Sequence, residues 1–287
     1  MVIANDEFNQ WRSPVEQVGG MPVYRPLPTR ETVCVGPFVL FDHFGPVPSI
    51  AAKLPPHPHA GIEVMTYLLS GANEHRDSAG NVGRVTAGGA QWMRAGRGVI
   101  HSEETLASTS SLEGLQIWAR LPLDAEDSEP EYRAVQADEV PVIDHDGVVA
   151  RVLAGRVEDQ TGPLVTAISS VMLHVSLDPG TQFPLPVINS AGQFGAYVIS
   201  GEVSIGADEP VAARRADFTV WSTPVDQLMV RNSGSTRAEV FVLGGEPAPK
   251  PLVFGGPFVY DHQDKLLAAE GRFRSGAMGT LDGVPHQ

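Results

Sequence analysis

Short apolar runs separated by Gly, Pro and Asn dominate this chain, and helical periodicity is scarce. Phe38-Val39-Leu40-Phe41 follows Gly36-Pro37 as a short buried run, and residues 62–69 predict a strand ending at Ser70-Gly71. Residues 73–81 are polar and read as a loop, with Ala79-Gly80-Asn81 as its turn. Residues 115–121 alternate enough to predict another strand. In the second half, residues 171–177 put their valines and leucines on one face and Met172, His174 and Ser176 on the other. Residues 194–199 and 201–206 read as strand, turn, strand, and residues 239–243 predict a late strand before Gly244-Gly245. The end of the chain breaks the pattern. Asp261 as N-cap, Asp264 as the N3 carboxylate, and Leu266, Leu267 and Phe273 predict a single helix over residues 261 to about 274.

At 287 residues the chain exceeds the usual single-domain size. Residues 124–139, rich in acid, Pro and polar side chains, mark the expected crossover. The predicted division is 1–137 and 138–287, the second part ending in the helix. Strand, Gly turn and strand around Leu68 to Gly71 are echoed around Val198 to Gly201, as in a duplicated barrel. Gly and Pro supply 54 residues, above the average of roughly 12%, as many tight turns between short strands require.

Charge narrows the partners. With 20 basic and 34 acidic residues the net charge is −14, which repels phosphate backbones and anionic membranes. Neither Arg214-Arg215 nor the Arg272/Arg274 pair is a cluster large enough to reverse that, so no direct nucleic-acid contact is expected. Cys34, the single cysteine, excludes an internal disulfide framework and cysteine-rich zinc modules, and its setting between valines reads as buried. No apolar run of 18 residues and no signal-peptide pattern is apparent, so a cytoplasmic protein is expected.

Two short motifs carry the chemistry. His57-Pro58-His59 and His101-Ser102-Glu103 are each a pair of metal-ligand side chains at i, i+2, which a strand places on one face. Two such strands facing each other hold one metal ion with three imidazoles and a carboxylate, leaving coordination positions for water, oxygen or substrate. The fourth ligand is open on parity alone. Glu63 has the parity of His57 and His59, unless Gly61 introduces a bulge, and is otherwise an acceptor that orients a ligand imidazole. The second half has no such pair, since His145, His174 and His262 lie apart.

HPHAGIEVMTYLLSG, HRDSAGNVG and QWMRAGRGVIHSEE together resemble the pirin family of the cupin superfamily. The resemblance extends through FDHFGPV, GLQIWARLP and GGEPAPKPLVFGGPFVYD and is sparse between about 125 and 235. It implies an all-β bicupin, two stacked antiparallel β-barrels with iron in the N-terminal one, and ligands at His57, His59, His101 and Glu103. One departure is Ala60, where many members carry Arg, which removes a cation near the pocket mouth.

Further candidates are weaker. His43 in Asp42-His43-Phe44-Gly45 reads as a polar turn histidine hydrogen-bonded near the site, and His75-Arg76-Asp77 as a solvated turn. Trp92, Gln116 and Trp118 either line the pocket or fill the barrel, and Arg94 and Arg97 are either anion contacts or solvated. No phosphate loop, dinucleotide fingerprint or nucleophile elbow is present. The expected activity is therefore an Fe(II)-dependent dioxygenase of the quercetinase type acting on a polyphenol and O2, other divalent transition metals being alternatives. Glu103 would serve as ligand and general base. The resemblance equally implies an iron-dependent regulatory protein acting through a protein partner; a metal-bearing barrel that has lost catalysis, like the ligand-free second half, is a plainer alternative, since fold does not imply function. A monomer is expected, because two barrels in one chain supply internally what single-barrel relatives obtain by dimerising.

Overall fold

The computed structural model describes residues 3–4, 8–48, 53–106, 109–185, 192–222 and 228–281. The fold is nearly all β with one short C-terminal helix, as the sequence pattern predicts. Among the described residues no helix is long and apolar enough to cross a membrane. Contacts divide the chain into two units. One comprises residues 15–23, 38–139 and 248–287 and is the first barrel; residues 1–14, 24–37 and 140–247 form the second. The contiguous cut at 137/138 therefore describes only the middle of the chain, and each terminal stretch belongs with the unit remote from it in sequence.

The first barrel contains β1 Val15–Val18, β2 Met21–Leu27, β3 Phe38–Pro48, β4 Lys53–His59, β5 Ile62–Ser70, β6 Ala72–Asp77, β7 Val82–Thr86, β8 Ala90–Arg94, β9 Val99–Thr105, β10 Ser111–Arg120 and β11 Glu131–Val135. A seven-stranded sheet runs β11-β8-β5-β10-β3-β2-β1, and a four-stranded sheet runs β4-β9-β6-β7. Residues 124–139, expected as a crossover, thus contain β11, which pairs with β8. Of residues 73–81, read as a loop, 73–77 belong to β6 and only 78–81 form the turn that joins it to β7.

The second barrel contains β12 Val142–His145, β13 Val148–Ala154, β14 Ser170–Leu177, β15 Gln182–Pro184, β16 Gln193–Ser200, β17 Glu202–Gly206, β18 Val211–Arg214, β19 Asp217–Ser222, β20 Met229–Asn232 and β21 Ala238–Gly245. Its larger sheet runs Ile3–Ala4, Phe8–Arg12, then β19-β16-β21-β14-β13-β12, and its smaller one β15-β20-β17-β18. The same plan of one large and one four-stranded sheet is used twice. The second interior is a continuous apolar cluster that includes Val152, Leu173, Val175, Phe183, Phe194, Val198, Val240 and Val242.

The helix α1, Gln263–Arg274, belongs to the first barrel, not to the second as expected. Leu266 and Ala269 pack with Ala60, Ile100, Phe258 and Tyr260. Its N-cap is His262 without a side-chain cap bond, because Asp261 instead pairs with Lys265 one turn on, at 2.8 Å. The chain just before it, β22 Val253–Gly255 and β23 Phe258–Tyr260, lies against the β4–β5 turn, where Val259 donates to the Ala60 carbonyl at 3.3 Å. Gly61 sits in that turn at φ +76°, and a Cβ there would meet the Val259 carbonyl at 2.2 Å, so only glycine fits. Arg120, fully buried, donates to the Gly61 carbonyl at 2.8 Å and pairs with Glu126. The end of β4 is thereby fixed, and with it the histidines it carries.

Candidate metal centre

Strand pairing brings the two predicted motifs together. β4 and β9 are antiparallel neighbours with His101 opposite His57, and the register shifts between His101 and Glu103. The ligand atoms of His57, His59 and His101 lie within 4.8 Å of one another, a group that can hold a divalent metal ion. His59 and His101 are buried.

The hydrogen bonds decide which nitrogens face inward. A backbone carbonyl only accepts, so His57 donates Nδ1–H to the Pro55 carbonyl at 2.8 Å and His59 donates Nδ1–H to the Pro257 carbonyl at 3.2 Å. Both Nε2 atoms are then left as lone pairs. His57 Nε2 lies 3.0 Å from His101 Nε2, while His59 Nε2 is buried without a hydrogen-bond partner. Burial, and then the nearby His57 charge, lowers the pKa of His59 from 6.5 to about 3. His101 is pushed well below 6.5 by burial and then by its three histidine neighbours. Rings held neutral, with an orphaned lone pair between them, fit a divalent cation, which satisfies all three Nε2 atoms at once.

Glu103, two residues after His101 on β9, is not part of that group. It is buried on β9, where Oε1 accepts from the Thr66 hydroxyl at 3.0 Å, the Asn73 amide at 3.3 Å and the Gln91 amide. Oε2 accepts from the Gln116 amide at 3.2 Å. Glu103 and Gln116 also line a cavity walled by Val18, Met21, Val23, Phe44, Leu54 and Leu112, with Asp42, Thr66 and Asn73 as its other polar residues. A buried carboxylate that lines a largely apolar cleft can exchange a proton with a bound hydroxyl.

Sequence reasoning missed the residues behind His101. His75 and Asp77 are buried on β6, not solvated in a turn. His75 Nδ1 lies 3.4 Å from His101 Nδ1, and its Nε2 lies 3.1 Å from Asp77 Oδ2. The Tyr132 ring stacks on His75 at 4.1 Å and 7°. Burial works to raise the Asp77 carboxyl, but hydrogen bonds from His75 and Asn81 outweigh it and hold the pKa below 3.8. The signal was the alternation Asn73, His75, Asp77, three polar residues on one face of a strand.

The remaining candidates separate. Glu63 is fully buried and accepts from the Trp92 indole at 3.1 Å, outside the histidine group. The turn at Gly61 ends β4 in one sheet and starts β5 in the other, so parity does not carry across it. His43 is buried within β3, not in a polar turn, 3.2 Å from Glu113 Oε1. Trp118 meets His59 edge-on at 4.9 Å, and its indole nitrogen is buried without a hydrogen-bond partner. Arg94 and Arg97 pair with Glu131 and Glu129 at 2.8 and 3.4 Å. Ala60 is fully buried against Phe258 and Tyr260, so the position does not line the cavity mouth.

The family model described as Pirin matches residues 20–119, and that described as Pirin C-terminal cupin domain matches residues 172–279. "Pirin" of Homo sapiens is 32% identical over 262 residues, 91% of this chain and 89% of that protein. Among solved structures, a quercetin 2,3-dioxygenase from Acinetobacter baumannii superposes with a TM-score of 0.83 at 26% identity, covering 94% of this chain and 97% of that one. A bacterial pirin from Escherichia coli, solved in complex with nickel(II), shares the fold with a TM-score of 0.65 at 21% identity, over 84% of this chain and 100% of that one. With both family models matched and His57 and His59 meeting His101 on adjacent strands, the chain belongs to the pirin family of the cupin superfamily.

Proposed function

We propose that this protein is an Fe(II)-dependent dioxygenase of the quercetinase type, opening the ring of a flavonol or similar polyphenol with O2. The observations that carry the reading are three imidazoles whose ligand atoms lie within 4.8 Å of one another and, two residues from His101 on the same strand, a buried carboxylate that lines a largely apolar cavity. The likeness to the A. baumannii quercetin 2,3-dioxygenase supports the substrate class.

In this reading His57, His59 and His101 hold the metal through Nε2, and Glu103 is the carboxylate that completes the set or takes a proton. When bound, iron supplies Lewis acidity to the substrate hydroxyl and the redox capacity that makes dioxygen reactive. The residues of the chain do the rest. Val18, Met21, Val23, Phe44, Leu54 and Leu112 enclose the flat apolar rings and exclude water. Glu103 accepts the proton of the hydroxyl beside the carbonyl, and its four donors keep the carboxylate aimed while that happens. The unpaired Trp118 indole N–H beside His59 is a donor free to meet a substrate oxygen.

Anaerobic mixing of iron-loaded protein with quercetin shifts the flavonol absorption, and admitting oxygen then gives stoichiometric O2 uptake. Iron bound with neither response contradicts the dioxygenase reading. It would favour an iron-redox-dependent protein acting through a protein partner, which the net charge of −14 suits better than DNA.

A further inference from the structure

The three histidines of the cluster are aimed in two different ways. His57 and His59 each give their Nδ1 proton to a backbone carbonyl, Pro55 and Pro257, whose acceptor role is fixed by covalent structure. His101 has no carbonyl there. Its Nδ1 faces another imidazole nitrogen, His75 Nδ1 at 3.4 Å, and neither atom alone determines which carries the proton.

The next bond settles it. His75 Nε2 lies 3.1 Å from Asp77 Oδ2. Asp77 Oδ1 already accepts from the Ala79 N–H and Asn81 N–H, each at 3.0 Å, and the Asn81 amide bridges both oxygens at 3.1 and 2.9 Å. A carboxylate held by so many donors is an acceptor, so His75 must donate Nε2–H to it. A neutral His75 then presents a lone pair at Nδ1, His101 donates its Nδ1–H there, and the His101 Nε2 lone pair points at His57 and the cluster. Tyr132, stacked on His75 at 4.1 Å, opposes rotation of the ring out of this line.

We infer that Asp77, acting through His75, sets the tautomer of His101, so that His75 and Asp77 are positioning residues of the metal centre. This rests on reading the three-histidine group as a metal centre. Polarity passes along one strand pair, since β6 and β9 place Asp77 opposite His101 and His75 opposite Glu103. A hydrogen-bonded partner on the outer nitrogen of a ligand histidine both orients the ring and raises its basicity.

The test reverses the relay. In Asp77→Asn the backbone N–H groups of Ala79 and Asn81 keep the amide oxygen on their side, so the NH2 group faces His75 Nε2 and donates to it. His75 is then protonated at Nδ1 and His101 at Nε2, the nitrogen that the metal needs. Long-range 1H–15N spectra of the metal-free protein read the tautomer, and cobalt(II) titration followed by visible absorption reads affinity. The wild type carries the His101 proton on Nδ1; Asp77→Asn moves it to Nε2 and weakens cobalt binding roughly 10–100-fold. If Asp77→Asn does not fold, His75→Gln and His75→Leu decide. The amide oxygen of Gln accepts the same proton, so it keeps the wild-type tautomer and binds cobalt more tightly than Leu. An unmoved His101 tautomer in Asp77→Asn, or equal affinities for the Gln and Leu variants, overturns the relay. A tautomer switch between wild type and Asp77→Asn, with no cobalt bound by the wild type, would instead sink the metal reading and leave the relay standing.

Discussion

On β6 of the first barrel, Asn73, His75 and Asp77 occupy the buried alternate positions; on β14 of the second, Val171, Leu173, Val175 and Leu177 occupy theirs. Around the first set lie buried Thr66, Gln91, His101 and Glu103, nearly every polar atom engaged by another. Around the second lie Ala150, Val152, Phe183, Val198, Val240 and Val242, which need no partners at all. The strand plan is the same, and the inward-facing positions decide whether a barrel is a site or a core. A polar interior is tolerable only when its hydrogen bonds are complete, because a buried unsatisfied group costs about 1–3 kcal/mol. Among the buried atoms that the first barrel leaves without a hydrogen-bond partner, His59 Nε2 and Trp118 Nε1 belong to two rings in edge-on contact at 4.9 Å, where a metal and a ligand oxygen would complete the network.

The sharpest way to break this comparison is to change one atom of the polar interior. Glu103→Gln replaces a group that accepts from four donors by an amide whose NH2 faces some of them. Flavonol turnover is expected to fall roughly 10²–10⁴-fold, the range for a lost general base, measured as O2 uptake at saturating quercetin. Turnover within threefold of wild type would remove Glu103 from the chemistry.

How much of this was legible follows from the same contrast. The second barrel obeys hydrophobic alternation, so β14, β16 and β21 were readable directly. In the first, β6 inverts the rule, with Glu74 and Arg76 turned outward and polar residues also inward, so the segment passed for a loop and His75 with it. The His57/His59 and His101/Glu103 pairs were legible because strand parity is local. Parity for Glu63 was not, since the Gly61 turn moves the chain to another sheet. The placement of α1 depends on contacts between residues some 200 positions apart, such as Ser78 Oγ donating to the Met278 carbonyl, which no local pattern encodes.

A second experiment imports the first interior into the other barrel. Leu173→His buries an imidazole among apolar side chains with no acceptor, and is expected to cost about 2–5 kcal/mol in denaturant unfolding of the second barrel. A loss under 1 kcal/mol would mean that this core accommodates polarity after all.

Acid tests the contrast more gently. His59 has a folded pKa of about 3 against 6.5 unfolded, so between those values the unfolded state binds more protons. The metal-free first barrel therefore loses stability as pH falls from about 6.5 towards 3. In the second barrel Glu239 is raised by burial, but the His174 hydrogen bond leads the lowering effects that leave it below 4.5. A depressed carboxyl stabilises above its unfolded pKa and loses that contribution only as pH drops below 4.5. Thermal unfolding of metal-free protein should thus decline first between pH 6.5 and 4.5, with His174→Ala changing only the more acidic part, by about 1 kcal/mol or less. A flat profile down to pH 4.5 would contradict the neutral His59 assignment.

The central claim is that the first barrel holds one divalent metal through three inward-facing Nε2 atoms and the second holds none. Elemental analysis of wild type and His59→Ala after anaerobic iron loading tests it most directly. One equivalent of iron per wild-type chain, lost in a folded His59→Ala, is the predicted result. No metal in the wild type, or an undiminished equivalent in His59→Ala, would contradict it.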